Sequence, residues 1–245
     1  MSDFDRQGSQ YSTNGAWAAN GHTESRPLTA SETSVAERVA FIRKVYALFF
    51  AATLFAIGGV FVGYNFPPLM MAAARYPLVM FLVMIGGIYA AQAVRHKPGI
   101  NLVALFGFTT LTGVVISPVL FVISRTNPAS ITQSGLLTVG IFGGLTAYVF
   151  LTRRDFSFLR GMLTVGLIVI VLGGLMNYLV VGSLGIGFAL AVGALLLFSG
   201  YVLYDTSNIM RRYPTSEYVA AALAIYLDAF NIFLAVLRLL NSGRR

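Results

Sequence analysis

Cysteine is absent from this 245-residue chain, and histidine occurs only twice, at His22 and His96. Without thiols the protein has no disulfides, no thiolate metal sites and no cysteine nucleophile. One histidine lies in a polar N-terminal stretch and the other in a short basic loop, so no imidazole pair is available to hold a metal or to activate a buried serine. Serine-type intramembrane proteolysis and haem-carrying electron transfer are therefore disfavoured as functions.

Charge is also scarce. Charged residues make up 11% of the chain, while 57% of the residues are hydrophobic. Because soluble domains carry about 25% charged residues, this composition predicts an integral membrane protein. The formal net charge is +8. The positive residues stand singly or in pairs between apolar segments, so we expect them to set membrane topology and contact anionic lipid headgroups, with no nucleic-acid partner.

The chain divides into a polar tail and an apolar remainder. Residues 1–40 are rich in Ser, Thr, Asn, Gly and Gln and lack the apolar run of a signal peptide, so we predict a disordered, retained tail. Residues 41–245 are predicted to form the transmembrane domain. In lipid, long apolar segments must be helical, because unpaired backbone groups find no partner there. The predicted fold is all-α, with seven transmembrane helices near 43–63, 77–94, 100–123, 133–151, 159–181, 184–204 and 218–240.

The distribution of Lys and Arg predicts the orientation. With the N-terminus inside, ten Lys and Arg residues fall on the inner side and two, Arg75 and Arg125, on the outer side. The positive-inside rule therefore predicts a cytoplasmic N-terminus. Seven complete crossings would place Arg238, Arg244 and Arg245 outside, so the last segment either crosses against the bias or is irregular or re-entrant.

Two pairs of glycines recur at four-residue spacing inside the apolar segments. They are Gly59 with Gly63, and Gly140 with Gly144. Small residues at this spacing allow close helix contacts in membranes, so both pairs are candidate packing faces.

Only four acidic residues lie beyond the tail: Asp155, Asp205, Glu217 and Asp228. Asp155 and Glu217 fall in predicted loops next to arginines and are expected to be solvated surface charges. Asp228 lies ten residues into the seventh segment, at a depth of roughly 15 Å. A carboxylate at such a depth costs about 2.5–3.5 kcal/mol, so it should face the bundle interior and have a partner.

Asp205, at the end of the sixth segment, is the candidate partner. Both aspartates occur in the pattern Asp-x-x-Asn-Ile, which adds Asn208 and Asn231 as supporting residues. Two carboxylates in a poorly solvated place should share a proton and titrate as a coupled pair near physiological pH. Alternatively, hydroxyl and amide groups satisfy each aspartate separately, and both residues serve helix packing only.

The chain resembles the bacterial form of the Bax inhibitor family over residues 38–241. The most specific matches are Leu-Tyr-Asp-Thr at 203–206 and Ala-Ile-Tyr-Leu-Asp-Ala-Phe-Asn-Ile-Phe at 224–233. Thr112-Gly113 before Ser117-Pro118, and Asp155-Phe156-Ser157-Phe158-Leu159, support it. Ser117 departs from the family pattern, in which glycine precedes this proline.

This resemblance implies a fold in which six helices surround the last one. It also implies a pH-sensitive calcium leak without a cofactor, in which Asp205 and Asp228 form the sensor and contact calcium transiently. In the family's closed form an arginine from the end of the second helix pairs with the first aspartate. Arg95 is the candidate for this latch, with His96 and Lys97 as rivals, and the alternative is that Arg95 serves topology only.

Two other functions compete with the leak. An intramembrane aspartyl protease would also use two buried aspartates, but its second aspartate follows Gly-x-Gly, whereas Asp228 follows Ile225-Tyr226-Leu227. We therefore expect no enzyme. The second alternative is a membrane regulator, because bacterial relatives resemble modulators of a membrane-bound AAA protease. Either role would place the protein in a bacterial inner membrane, with lipids as neighbours.

Overall fold

The computed structural model describes residues 28–242, and these are helical apart from short connections. Eight α-helices follow one another: α1 (Val35–Asn65), α2 (Pro67–Arg75), α3 (Pro77–Ala93), α4 (Ile100–Thr126), α5 (Pro128–Thr152), α6 (Arg160–Met176), α7 (Leu184–Arg211) and α8 (Tyr218–Ser242). A short 3-10 turn, Ser157–Leu159, precedes α6, and a π-helical turn, Asn177–Val181, continues it. The all-α class predicted from the sequence is confirmed.

Each of the seven predicted apolar segments coincides with a helix. Six of these spans are long and apolar enough to cross a membrane singly. The seventh, α3, has 17 residues and follows α2 at a bend of 99°. Prolines at the first positions of α2 and α3 fit these abrupt starts, because proline lacks the N–H that a continuous helix would need. The described residues thus contain six membrane-spanning helices, or seven if the bent pair forms one crossing.

Helix α8 lies at the centre of the bundle. Two-thirds of its most apolar stretch is buried, a larger share than in any other span. Its main neighbours are α1, α4, α5 and α7, whereas α3 packs against α4 and α6 against α7. The ring expected around the last helix therefore consists mainly of four helices, not six. The helix is a regular α-helix of 25 residues, so the irregular or re-entrant alternative is wrong.

Helices α1 and α4 approach each other closely through glycines. A Cβ atom at Gly59 would lie 2.0 Å from the Thr110 carbonyl oxygen, and one at Gly113 would lie 1.9 Å from the Ala56 carbonyl oxygen. Gly63 is equally crowded, against the side chain of Ser117. By contrast, nothing lies within 4 Å of a Cβ at Gly140 or Gly144. The predicted close packing therefore holds for the first glycine pair and is wrong for the second.

The predicted boundary between tail and membrane domain falls inside α1. Ser34 caps this helix and forms a capping box with Glu37, so the helix begins at Val35. Residues 28–34 form part of the folded domain, because they pair with the α7–α8 loop. Ala30 N donates to Tyr213 O at 3.0 Å, and Ser31 Oγ donates to Arg211 O at 2.8 Å. The remainder of the predicted disordered tail, residues 1–27, lies outside the described residues.

Contacts between loops define the two ends of the bundle. Residues 28–34, 94–99, 153–157 and 212–217 meet at one end, which we call the site end. At the opposite end, which we call the far end, Asn127 Nδ2 donates to Asn241 Oδ1 at 3.3 Å. Seven of the ten Lys and Arg residues predicted to be cytoplasmic lie in or beside the site-end loops, and the other three lie in the first turns of α1.

Candidate functional site

Asp205 and Asp228 face each other across the contact between α7 and α8. Asp205 lies six residues before the end of α7, and Asp228 lies ten residues after the start of α8. Since the two helices are antiparallel neighbours, these offsets of roughly 9 Å and 15 Å from the shared loop bring the side chains together. Their carboxyl groups lie close enough to form a hydrogen bond with each other. Such a bond needs one proton between the two carboxyls, because two carboxylates are both acceptors.

Few hydrogen-bond donors of the protein surround the two carboxyl groups. Asp228 is only 3% exposed, and its Oδ2 atom accepts no hydrogen bond from any N–H or O–H donor in the described residues. Asp205 is half-buried, and the Asn208 side chain lies beside it. The supporting role of Asn208 stays a prediction.

Asn231 does not contact Asp228 in the same way. Its Nδ2 donates to Leu227 O at 2.7 Å, and its side chain lines a groove between α6, α7 and α8. The spacing is the same as that between Asp205 and Asn208, so the difference lies in the hydrogen bond of Asn231 to Leu227 O and not in the spacing. The supporting role predicted for Asn231 at the aspartate pair is wrong on these contacts.

Tyr213, in the loop between α7 and α8, faces the pair from the site end. Burial of its phenol, together with the nearby carboxylates of Asp205, Glu217 and Asp228, raises the pKa of Tyr213 well above its usual value. The hydroxyl therefore stays neutral at physiological pH. Since Tyr213 O also accepts the hydrogen bond from Ala30, residues 28–34 hold the loop that carries this phenol.

The predicted latch residues lie beside a different carboxylate. Arg95 Nε lies 3.9 Å from Glu217 Oε2, His96 Nδ1 lies 3.8 Å from Glu217 Oε1, and Arg95 Nε donates to His96 Nε2 at 2.9 Å. The expected pairing of Arg95 with Asp205 is therefore wrong for this structure. The reason is depth: α3 ends at Ala93, so Arg95 lies in a loop level with Glu217, whereas Asp205 lies inside α7.

Glu217 was missed as a site residue by sequence reasoning. Its side chain is 16% exposed, against 43% for Arg95, so it is not the solvated surface charge expected from its loop position. One signal was available, because Glu217 is one of only four acidic residues beyond residue 40.

Asp155 does match its expected role as a surface charge next to an arginine. Arg212 Nη2 donates to Asp155 Oδ2 at 2.8 Å, and both side chains are exposed. The hydrogen bond from Arg212, helped by that from Ser157 N, lowers the pKa of Asp155 to about 2. This ion pair ties the α5–α6 loop to the end of α7 and remains charged throughout the physiological range.

A buried hydrogen bond links α8 to α4 close to the pair. The hydroxyls of Tyr226 and Thr112 share it, and both residues lie within the motifs that carry the family resemblance. The bond to α4 fixes the rotation of α8 about its axis. Because Tyr226 is only two residues before Asp228, it also fixes the direction of the Asp228 side chain. Sequence reasoning did not assign Tyr226 a role.

These features define the class of this protein: a polytopic helical membrane protein with a protonatable carboxyl pair inside its central helix contact. A family model described as inhibitor of apoptosis-promoting Bax1 matches residues 38–245. The chain therefore belongs to the Bax inhibitor family, as its aspartate motifs indicated.

Individual relatives match over nearly the whole chain. An uncharacterised protein of Campylobacter jejuni is 35% identical, covering 89% of this chain and 95% of its own length. Bax inhibitor 1 of Schizosaccharomyces pombe is 33% identical over 86% of this chain and 79% of its own. Protein lifeguard 4 of Mus musculus is 31% identical over 86% and 89%, respectively.

Proposed function

We propose that this protein is a proton-modulated leak for cations, calcium among them, controlled by the Asp205–Asp228 pair. The observation that carries the proposal is the close approach of two carboxyl groups inside membrane-spanning helices, where antiparallel α7 and α8 pack against each other. Ionisable groups at such positions are costly and are functional in most membrane proteins. Packing alone would be served more cheaply by apolar side chains, because a buried carboxyl adds a desolvation penalty.

The charge of the pair gives the direction of the pH response. With one shared proton the pair carries a single negative charge, and with none it carries two. The doubly charged pair holds a cation more strongly and also repels itself across the α7–α8 contact. Acidification weakens the hold on a cation in the pathway, so we expect flux to increase as pH falls.

Calcium suits this site as a passing ion. Calcium prefers six to eight oxygen ligands, and carboxylates are among the best of them. Asp205 and Asp228 offer fewer oxygens than a tight calcium site needs. In the described residues no group of three or more acidic or histidine side chains completes such a site. Weak, transient contact is what conduction requires, because an ion must leave as readily as it enters.

Tyr213 and Glu217 form the exit from the pair toward the loops of the site end. Glu217 holds Arg95 and His96 beside this exit, which places two potential positive charges where a cation would pass. We take these residues as the closing contact of the proposed leak, in place of the expected pairing of Arg95 with Asp205. The proposal gives the protein no enzymatic activity.

The orientation is part of the proposal. We place the N-terminus and the site end on the cytoplasmic face of a bacterial inner membrane, because the basic residues lie there. The aspartate pair then senses cytoplasmic pH.

Calcium flux into liposomes that contain the purified protein tests the function. Flux is followed with an internal dye while the bath is varied between about pH 5 and pH 8, the range over which coupled carboxyl and histidine groups titrate. We expect flux above that of empty liposomes, increasing toward acid pH. A folded preparation without pH-dependent flux would contradict the leak and favour the second candidate, a regulator that binds a membrane-bound AAA protease or another membrane protein.

A further inference from the structure

Arg238 is a cation inside the last membrane-spanning helix, at the end away from the aspartate pair. It lies four residues before the end of α8, about 6 Å along the helix axis. Its side chain is exposed and lines the groove between α6, α7 and α8. Within residues 28–242, no carboxylate lies within ion-pair distance of it. A membrane-embedded arginine without a carboxylate needs another anionic or polar partner.

Gly187, in the first turn of α7, makes room for this guanidinium. A Cβ atom at Gly187 would lie 2.7 Å from Arg238 Nη2 and 3.5 Å from Asn177 Nδ2. Any larger residue would displace the guanidinium. The absence of a side chain at this position therefore brings two nitrogen donors to the same point.

Asn177 presents its amide nitrogen as a donor. The residue is only 8% exposed and begins the π-helical turn after α6. Its Oδ1 accepts a hydrogen bond from Ser183 N at 3.0 Å, which fixes the amide with Nδ2 beside Gly187, the same residue that Arg238 Nη2 approaches. Local π-helical turns are frequent at functional sites. A ligand between Asn177 and Arg238 must therefore supply acceptors, and a negative charge suits the guanidinium.

The surroundings indicate what such a ligand is. The site lies at the N-terminus of α7, where the helix dipole favours a negative charge. Below it, toward the middle of the membrane, the groove has a volume of about 160 Å³ and mostly apolar walls, which include Ile170, Leu190, Ala194 and Leu234. An anionic head on donors and an apolar chain along the wall match a phospholipid, because arginine binds phosphate through paired hydrogen bonds.

We propose that Arg238, Asn177 and the cradle at Gly187 form a binding site for the phosphate of a membrane phospholipid, whose acyl chain lies in the α6–α7–α8 groove. The inference is independent of the leak, because it uses the opposite end of α8. It also explains why the last helix ends with a positive residue on the side that the positive-inside rule disfavours.

The test is retention of phosphatidylglycerol by delipidated protein, measured by native mass spectrometry. We expect wild type to retain one lipid and Arg238→Gln to retain it at least about tenfold less tightly, the effect of losing a charge-assisted hydrogen bond. Arg238→Lys, which keeps the charge but loses the planar fork, should fall between them. Arg125→Gln is the matched control, because Arg125 is at the same end and stacks on Phe121, and it should behave as wild type.

A second variant keeps the test valid if Arg238→Gln does not fold. In Gly187→Ala the new methyl group displaces only the flexible end of Arg238, so the protein should fold and retain the lipid severalfold less tightly. Wild-type retention by folded Arg238→Gln, or by folded Gly187→Ala when the first variant is not folded, would overturn the proposal. So would displacement of the lipid by an excess of inorganic phosphate, because the site would then recognise a free anion and not a lipid.

Discussion

The carboxylate of Glu217, one residue before α8 begins, lies 3.9 Å from the guanidinium of Arg95, two residues after α3 ends. This pair joins the second membrane segment to the loop that carries Tyr213. This ion pair therefore lies outside the aspartate pair, next to the proposed exit formed by Tyr213 and Glu217.

If this contact closes the proposed leak, breaking it should increase flux without removing the pH sensor. In Glu217→Gln the side chain keeps its size but loses the charge that holds Arg95 and His96. We expect resting calcium flux at neutral pH to increase severalfold, with the pH dependence retained. Asp155→Asn is the matched control, since it breaks another ion pair at the same end. Unchanged flux in Glu217→Gln would exclude Glu217 from gating.

The sensor itself is tested by Asp228→Asn. Asparagine keeps the shape and can still hydrogen-bond to Asp205, but it removes one of the two coupled titrating groups. We expect the liposome flux to lose most of its pH dependence while the protein still inserts and folds. Asp205→Asn should have the same effect on the pH profile. If both variants keep the wild-type profile, the two aspartates are packing residues only.

The glycine contact between α1 and α4 predicts a large effect on stability. A methyl group at residue 113 would meet the Ala56 carbonyl oxygen, a backbone atom that moves only with its helix. Gly113→Ala should destabilise the protein by about 1–3 kcal/mol, the usual cost of overpacking. Gly140→Ala is the matched control, because nothing lies within 4 Å of its Cβ. Thermal unfolding in detergent compares the two, and equal midpoints would show that α1 and α4 separate freely.

The ion pair between Asp155 and Arg212 has a pH signature of known sign. Because the hydrogen bond from Arg212, together with that from Ser157 N, lowers the pKa of Asp155 from 3.8 to about 2, the stabilisation is fully present above about pH 4 and is lost as pH falls through about 2. Both side chains are exposed, so solvent screening limits the contribution to less than about 1 kcal/mol. Unfolding of Asp155→Asn and wild type should therefore differ slightly at neutral pH and converge in acid. If the difference in unfolding free energy between Asp155→Asn and wild type changed between pH 6 and pH 8, far above the pKa of Asp155, it would contradict the assignment of this effect to the Asp155–Arg212 ion pair.

The orientation can be tested with introduced cysteines, since the chain has none of its own. A cysteine at Ser157 marks the site end and one at Thr126 marks the far end. In intact cells, an impermeant thiol reagent applied outside should label Thr126→Cys and leave Ser157→Cys unlabelled. The reverse pattern would place the N-terminus and the basic loops outside.

Much of the fold follows from the sequence, because lipid leaves few alternatives. Apolar length forces helices, so each of the seven segments falls on a helical stretch. The predicted limits miss the start of α1 by eight residues, the start of α5 by five and the end of α7 by seven, because polar ends of these helices extend beyond the apolar runs. The depth of Asp228 follows from counting residues within one helix. Its closeness to Asp205 follows from the short loop that joins two antiparallel helices. Both inferences depend on distance along the chain, which the sequence states directly.

The tertiary structure decided the contacts that depend on helix rotation and on loops from distant segments. Glu217 rather than Asp205 meets Arg95 because the end of α3 stops at the level of the α7–α8 loop. Asn231 lines a groove and bonds to Leu227 O of its own helix, a partner that the Asp-x-x-Asn pattern leaves open. Arg238 and Asn177 are 61 residues apart in sequence, and both lie beside Gly187, where a larger residue would displace the guanidinium. Spacing along a chain fixes depth in the membrane, whereas the packing of whole helices fixes which side chains at one depth face each other.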